Sequence, residues 1–242
     1  VANWKLNGSK EFNHQWALEF LRNFNGNNFS ILGIAPASLY IDHLKTILTD
    51  YDIEIGSQNI DLEETGARTG EISASMIKDR GCAFSIIGHS ERRHIFQESN
   101  NEISNKVILS IENKFYTILC VGETLLERNK KITKKVIANQ LKTALFKSRQ
   151  LIKQNSSKLI IAYEPVWSIG SGLIPKSDDL VKSIKFIKKK FGKKSPKVLY
   201  GGSVNNMNIS QLKKISMIDG FLIGGASQDS KKFIDIIKKT YI

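Results

Sequence analysis

A single-domain (β/α)8 barrel over residues 1–242 is the fold this sequence predicts, and three observations predict it. Short apolar and β-branched runs recur eight times along the chain, and amphipathic stretches of helical period separate them. No Gly-x-Gly-x-x-Gly turn follows the first run, which disfavours the rival open, doubly wound sheet with a bound dinucleotide. Strands that each precede a helix must run parallel, and near-continuous apolar strands are buried on both faces. Closing such a sheet into a barrel is the simplest arrangement, and barrels of about 250 residues form one domain.

The predicted strands are, in order, "VANWK" (1–5), "FSILGIA" (29–35), "IEIGSQNI" (53–60) and "AFSIIGH" (83–89), then "YTILCVG" (116–122), "KLIIAYE" (158–164), "KVLYGG" (197–202) and "GFLIGG" (220–225). The first is short at its N-terminal side. Between them, "KEFNHQWALEFLRNF" (10–24) puts Phe12, Trp16, Phe20 and Phe24 on one helical face, and "SDDLVKSIKFIKKKF" (177–191) is expected to begin at a capping Ser177. No Pro-rich or low-complexity linker divides the chain.

Composition excludes several classes. The net charge of +13 and pI of about 9.6 come from lysines spread over many segments, so a solvated basic surface is expected rather than a nucleic-acid site. A positive field would still speed capture of an anionic substrate. No apolar run approaches the ~20 residues of a membrane span. The chain carries no signal-peptide pattern, so a cytoplasmic location is expected. Cys82 and Cys120, without further Cys or His at ligand spacing, give neither a disulfide framework nor a zinc site.

Barrel chemistry gathers where strands end and βα loops begin. Those ends carry Asn3 and Lys5 on the first strand, His89 on the fourth, Glu123 just past the fifth and Glu164 on the sixth. A lysine flanked by Asn3 and Trp4 within a strand is expected to be a buried functional one. His89 opens "GHSERR", where an imidazole at a helix N-terminus meets the positive end of the dipole and stays a neutral donor. Glu164 sits beside a Pro165–Trp167 hinge and a Gly-rich tip, and suits a base under a water-excluding loop. Gly201–Gly202 and Gly224–Gly225 end the last two strands and leave backbone N–H groups open to a phosphate dianion.

"NWKLNG" (3–8), "IGHSERR" (87–93), "CVGETLLER" (120–128), "AYEPVWSIGSG" (162–172), "YGGSV" (200–204) and "DGFLIGGAS" (219–227) together resemble the triosephosphate isomerase family, in order and along nearly the whole chain. The resemblance implies a TIM barrel that interconverts dihydroxyacetone phosphate and glyceraldehyde 3-phosphate, in glycolysis and gluconeogenesis, without metal or organic cofactor. It implies Glu164 as base, neutral His89 as electrophile and Lys5 as electrostatic stabiliser. Asn3 would orient the substrate, the N–H groups of Gly170, Ser203, Gly224 and Gly225 would hold phosphate, and Glu91 would support the network. Loop 165–175 would close as a lid. The segment "TGARTGEISASM" (65–76) resembles the loop that enters a second subunit of a homodimer, where Thr69 would steady that copy's Lys5 and Asn3.

Two departures from the family pattern carry expectations. The second lid hinge reads Leu173-Ile174-Pro175, and Pro175 lacks the N–H that the family's residue can give to the tyrosine of the "YGGS" turn. Lid closure is then expected to rely on Ser203 and on packing of Ile169, and Tyr200→Phe to cost little. Lys131 stands where the family commonly has glycine, with little consequence expected. Other phosphate-binding barrels, such as pentose phosphate epimerases or enzymes of amino-acid biosynthesis, would share the glycine pairs without needing Lys5, His89 and Glu164. A non-enzymatic basic barrel is the other alternative.

Overall fold

Eight parallel strands pair in the order of the chain: β1 (Ala2–Asn3), β2 (Gly33–Ala35), β3 (Glu54–Ser57), β4 (Phe84–Ile87), β5 (Tyr116–Val121), β6 (Leu159–Tyr163), β7 (Lys197–Tyr200) and β8 (Gly220–Phe221). The computed structural model describes residues 1–24 and 32–241, the side chain of Ser156 excepted. Residues 29–31 of the predicted second strand and the terminal Ile242 lie outside them. The sheet closes where Ala2 pairs in parallel with Ile223, the Asn3 N–H donating to the Ile223 carbonyl and the Ile223 N–H to the Val1 carbonyl, each at 2.8 Å. The predicted barrel is the observed one.

Alternation along the strands makes two cores. Phe84, Ile86, Ile118, Cys120, Ala162, Leu199 and Leu222 fill the barrel interior. Their neighbours Ile87, Leu119, Val121, Ile161, Tyr163, Val198 and Tyr200 face the helical layer instead. Phe84 needs its neighbours to be small, because a Cβ at Gly56 would stand 2.5 Å from its ring.

The helical layer comprises α1 (Lys10–Asn23), α2 (Ile41–Ile47), α3 (Ala74–Asp79), α4 (Ser90–His94), α5 (Asn100–Glu112), α6 (Leu125–Asn129), α7 (Thr133–Phe146), α8 (Arg149–Gln154), α9 (Ser177–Lys189), α10 (Ile209–Leu212) and α11 (Ser230–Tyr241). Ser9 caps α1 by accepting from the Phe12 N–H, and Ser99 with Glu102 forms a reciprocal capping box on α5. On α1, Trp16 stacks on Phe20 with centroids 4.9 Å apart, and Phe12 and Phe24 pack at the edge of the same core. Ser177 is not a cap. It is the first helical residue of α9, and Lys176, at φ −57° and ψ 141°, holds the cap position without a side-chain bond.

All the predicted strands except the second, which ends at Ala35 as expected, overran at their C-terminal ends. β1 stops at Asn3 because Lys5 turns into the left-handed region at φ 54°, and β4 stops at Ile87 because Gly88 does so at φ 66°. The residues surrendered by the sheet are those that form the cavity above it.

Candidate active site

A cavity of about 260 Å³ opens at the C-terminal mouth of the barrel, lined by Asn3, Lys5, His89, Glu164, Ser203 and the Gly224–Gly225 pair, with Ile169 and Gly170 from the loop after β6. His89 is 6% exposed and Glu164 2%. Both therefore act away from bulk water, where an interaction between fixed charges and dipoles is strengthened.

The β4–α4 turn sets the state of the imidazole. His89 is the N-cap of α4, and its Nδ1 accepts from the Glu91 N–H at 3.2 Å. A ring nitrogen that accepts carries no proton, so the neutral ring bears its proton on Nε2. That atom lies 3.2 Å from Glu164 Oε1, while Glu164 Oε2 accepts from the Ser90 N–H at 3.1 Å. Arg93 braces the turn from behind, its guanidinium donating to the carbonyls of Gly88 at 2.7 Å and Cys120 at 2.9 Å. Burial pushes the Arg93 pKa down from its ordinary value.

Lys5 is less buried than expected, its side chain 24% exposed, and its Nζ pairs with Glu91 Oε1 at 2.6 Å. Its backbone conformation is held from two sides. Asn3 Oδ1 accepts from the Lys5 N–H at 3.1 Å, and Gln58 Nε2 donates to the Lys5 carbonyl at 2.9 Å and to that of Ala35 at 3.0 Å. The left-handed turn tips the ammonium toward the cavity rather than along the strand. In that pose its Cε would touch a side chain at Gly224, where a Cβ would come within 3.3 Å.

The chain matches the family described as triosephosphate isomerase over residues 1–240. It is 37% identical over 243 residues to the triosephosphate isomerase of Nitrosococcus oceani, covering 98% of this chain and 96% of that protein. The corresponding protein of Aquifex aeolicus is 38% identical over 245 residues, and that of Dictyoglomus turgidum 39% over 247, each covering 98% of this chain and 97% of the relative. The chain belongs to the triosephosphate isomerase family. It is an isomerase.

Within this family framework, the loop after β6 lies across the cavity. Residues Val166–Ser168 form a 3-10 turn, and Gly170 and Gly172 take left-handed φ of 68° and 75° at the tip. Ser203 Oγ donates to the Ser168 carbonyl at 2.5 Å and accepts from the Gly172 N–H at 3.1 Å. Glu123 does not reach the cavity. It is fully buried beneath the loop's first hinge, accepting from Trp167 Nε1 at 3.2 Å and from the Tyr163 hydroxyl at 3.0 Å. Burial raises its pKa, and the bonds from Trp167 and Tyr163 work against that rise.

The glycines beside Glu164 have steric reasons as well as a phosphate reading. A Cβ at Gly122 would stand 1.7 Å from the Glu164 carbonyl oxygen, and one at Gly202 2.1 Å from the Tyr200 hydroxyl. Of the four N–H groups expected to hold phosphate, that of Ser203 already points at Ser168 Oγ, at 3.3 Å.

Several contacts were not anticipated from the sequence. The Tyr200 hydroxyl lies 3.0 Å from Ser168 Oγ, so it does engage the loop although Pro175 offers it nothing. Gln58 was missed, although it lies just past a strand end like the residues that were found. Thr69 is exposed and outside the cavity, on the loop between β3 and α3. The segment 65–76 is loop only as far as Ser73, since α3 begins at Ala74. Asp61 anchors the base of this loop through both carboxylate oxygens to Arg68.

Cys82 and Cys120 are free and buried, and burial pushes the Cys82 thiol up to about 11. Among the described residues no three His, Cys, Asp or Glu are grouped to hold a metal ion, and no helix is long and apolar enough to cross a membrane.

Proposed function

We propose that this protein interconverts dihydroxyacetone phosphate and D-glyceraldehyde 3-phosphate by proton transfer through an enediolate. The observation that carries the reading is the pairing of a neutral Nε2–H of His89 with the Glu164 carboxylate in one cavity with Lys5. Bound substrate takes the place of that pairing. The Glu164 carboxylate removes the proton from the carbon beside the carbonyl; the electron pair of that C–H bond forms the C=C bond of the enediolate, and the carbonyl π pair moves onto the oxygen. His89 Nε2–H donates to that oxygen and moves a proton between the two oxygens. Glu164, now protonated, returns its proton to the neighbouring carbon.

Lys5 exchanges Glu91 for the substrate and offsets the charge of phosphate and enediolate, while Asn3 orients the substrate. The phosphate rests on N–H groups of Gly170, Ser203, Gly224 and Gly225, and loop 165–175 closes as a lid that excludes water. A glutamate base with a neutral histidine and a closing loop is the general description of this enzyme type. The reaction serves glycolysis and gluconeogenesis in the cytoplasm.

The protein works as a homodimer through loop 65–76, with Thr69 reaching the second copy's Lys5 and Asn3. Apolar side chains exposed on the segments that follow β1, β3 and β4 support this: Leu6 at 97%, Met76 at 56%, Ile95 at 69% and Phe96 at 60%. A fully active monomer in sedimentation at micromolar concentration would contradict it.

Isomerisation in D2O tests the proton-transfer step. A base that exchanges with solvent during the enediolate's lifetime puts deuterium on the product's carbon; direct transfer of hydride between the two carbons puts none there.

A further inference from the structure

Ser168 takes no part in the proton transfers, yet its hydroxyl is fully engaged. Ser168 is 0% exposed, and its Oγ donates its one proton to the Leu173 carbonyl at 2.6 Å. With that proton committed, the oxygen can only accept from its other two neighbours. It accepts from the Tyr200 hydroxyl at 3.0 Å and from the Ser203 N–H at 3.3 Å. Burial pushes the Tyr200 phenol up to about 12, so it stays a donor at working pH. One side-chain oxygen, just past the first hinge of the loop, thus joins its second hinge, the last residue of β7 and the turn that follows it.

From this we infer that Ser168 is a positioning residue, whose hydroxyl clasps both ends of the lid to the Tyr200–Ser203 turn and so holds Ile169 and Gly170 over the bound intermediate. The inference rests on the isomerase reading above and adds a consequence to it. An enediolate phosphate that escapes the lid loses its phosphate: the enediolate electron pair forms a C=C bond as the C–O bond to phosphate breaks. Inorganic phosphate leaves with that bonding pair, and the remaining enol gains a proton on carbon and gives up its hydroxyl proton to solvent, becoming methylglyoxal. No electrons are gained or lost overall. Ser168 therefore sets the ratio of isomerisation to elimination.

The test compares the full chain with Ser168→Ala, Tyr200→Phe and the double variant, reading kcat, KM, inorganic phosphate released per isomerisation, and hydrogen exchange at the Gly172 and Ser203 amides. Loss of the three-bond hydroxyl is expected to lower kcat/KM about tenfold and raise phosphate release per turnover about as much, with faster exchange at both amides. Tyr200→Phe is expected to cost less, and to cost nothing further once Ser168 is alanine. An unchanged elimination ratio in Ser168→Ala, or an equal cost of Tyr200→Phe in both backgrounds, would overturn the inference. Should the unsubstituted protein show no isomerase activity, the functional reading fails separately, and amide exchange still decides the clasp: unchanged protection in Ser168→Ala overturns it.

Discussion

His89 and Glu164 hold each other in place: the ring's Nε2 lies 3.2 Å from the carboxylate, because its Nδ1 is occupied 3.2 Å away by the N–H of Glu91. The first turn of α4 thus determines which nitrogen faces Glu164. Replacing His89 by Asn keeps a small polar group but removes the Nε2 donor from that position. We expect kcat to fall by about 10² to 10⁴ with KM changed only a few-fold, the usual range for a lost acid–base group. Steady-state kinetics check this, and a loss confined to KM would assign His89 to binding alone.

Lys5 combines a place in the cavity with a left-handed backbone. A non-glycine residue at φ 54° costs of order 1 kcal/mol or more, and the Asn3 and Gln58 bonds hold it there. Lys5→Gly should therefore raise thermal stability while lowering kcat/KM by about 10² or more. The lost ion pair subtracts little, since Glu91 is 39% exposed and can be solvated. Calorimetry beside kinetics checks both signs, and a less stable Lys5→Gly would show that the strain is not there.

Acid should loosen the loop that carries Thr69. The bond from Arg68 holds the Asp61 carboxyl below its ordinary 3.8, assisted by the Leu62 N–H and opposed by desolvation. A lowered folded-state pKa means that the unfolded chain binds the proton more readily. The stabilisation is therefore complete above 3.8 and is lost as pH falls through the lower folded value. Asp61→Asn should be less stable than the unsubstituted protein at neutral pH, and the difference should shrink as pH drops below about 4. Urea midpoints across that range check the prediction, and parallel curves would contradict it.

Much of this was legible in the sequence because barrels have a strict grammar. Runs such as "YTILCVG" and "KLIIAYE" are apolar on both faces, and a parallel sheet covered by helices buries them. Lys5, His89 and Glu164 stood out because polar residues at the ends of such strands have few other reasons to be there, and the structure brings all three to one cavity. What remained hidden were features of backbone angle and of contacts far apart in the chain. Lys131, expected to be of little consequence, stands at φ 57°, a conformation that glycine adopts without cost and lysine does not. Glu123 stood at a strand end like the others, but its side chain turned under the lid hinge to Trp167, 44 residues away. The Ser168–Tyr200 bond spans 32 residues, and no local pattern announces it.

The central claim is that the Glu164 carboxylate, positioned by Ser90 N–H and His89, is the base that moves the proton. A coupled assay of glyceraldehyde 3-phosphate conversion, with the unsubstituted protein beside Glu164→Asp, tests it most directly. Aspartate keeps the charge but draws it back by one methylene, and an ångström of misplacement costs on the order of 10²-fold. The account predicts a fast unsubstituted enzyme and a Glu164→Asp variant slowed about a hundredfold or more in kcat; a variant as fast as its parent would contradict it.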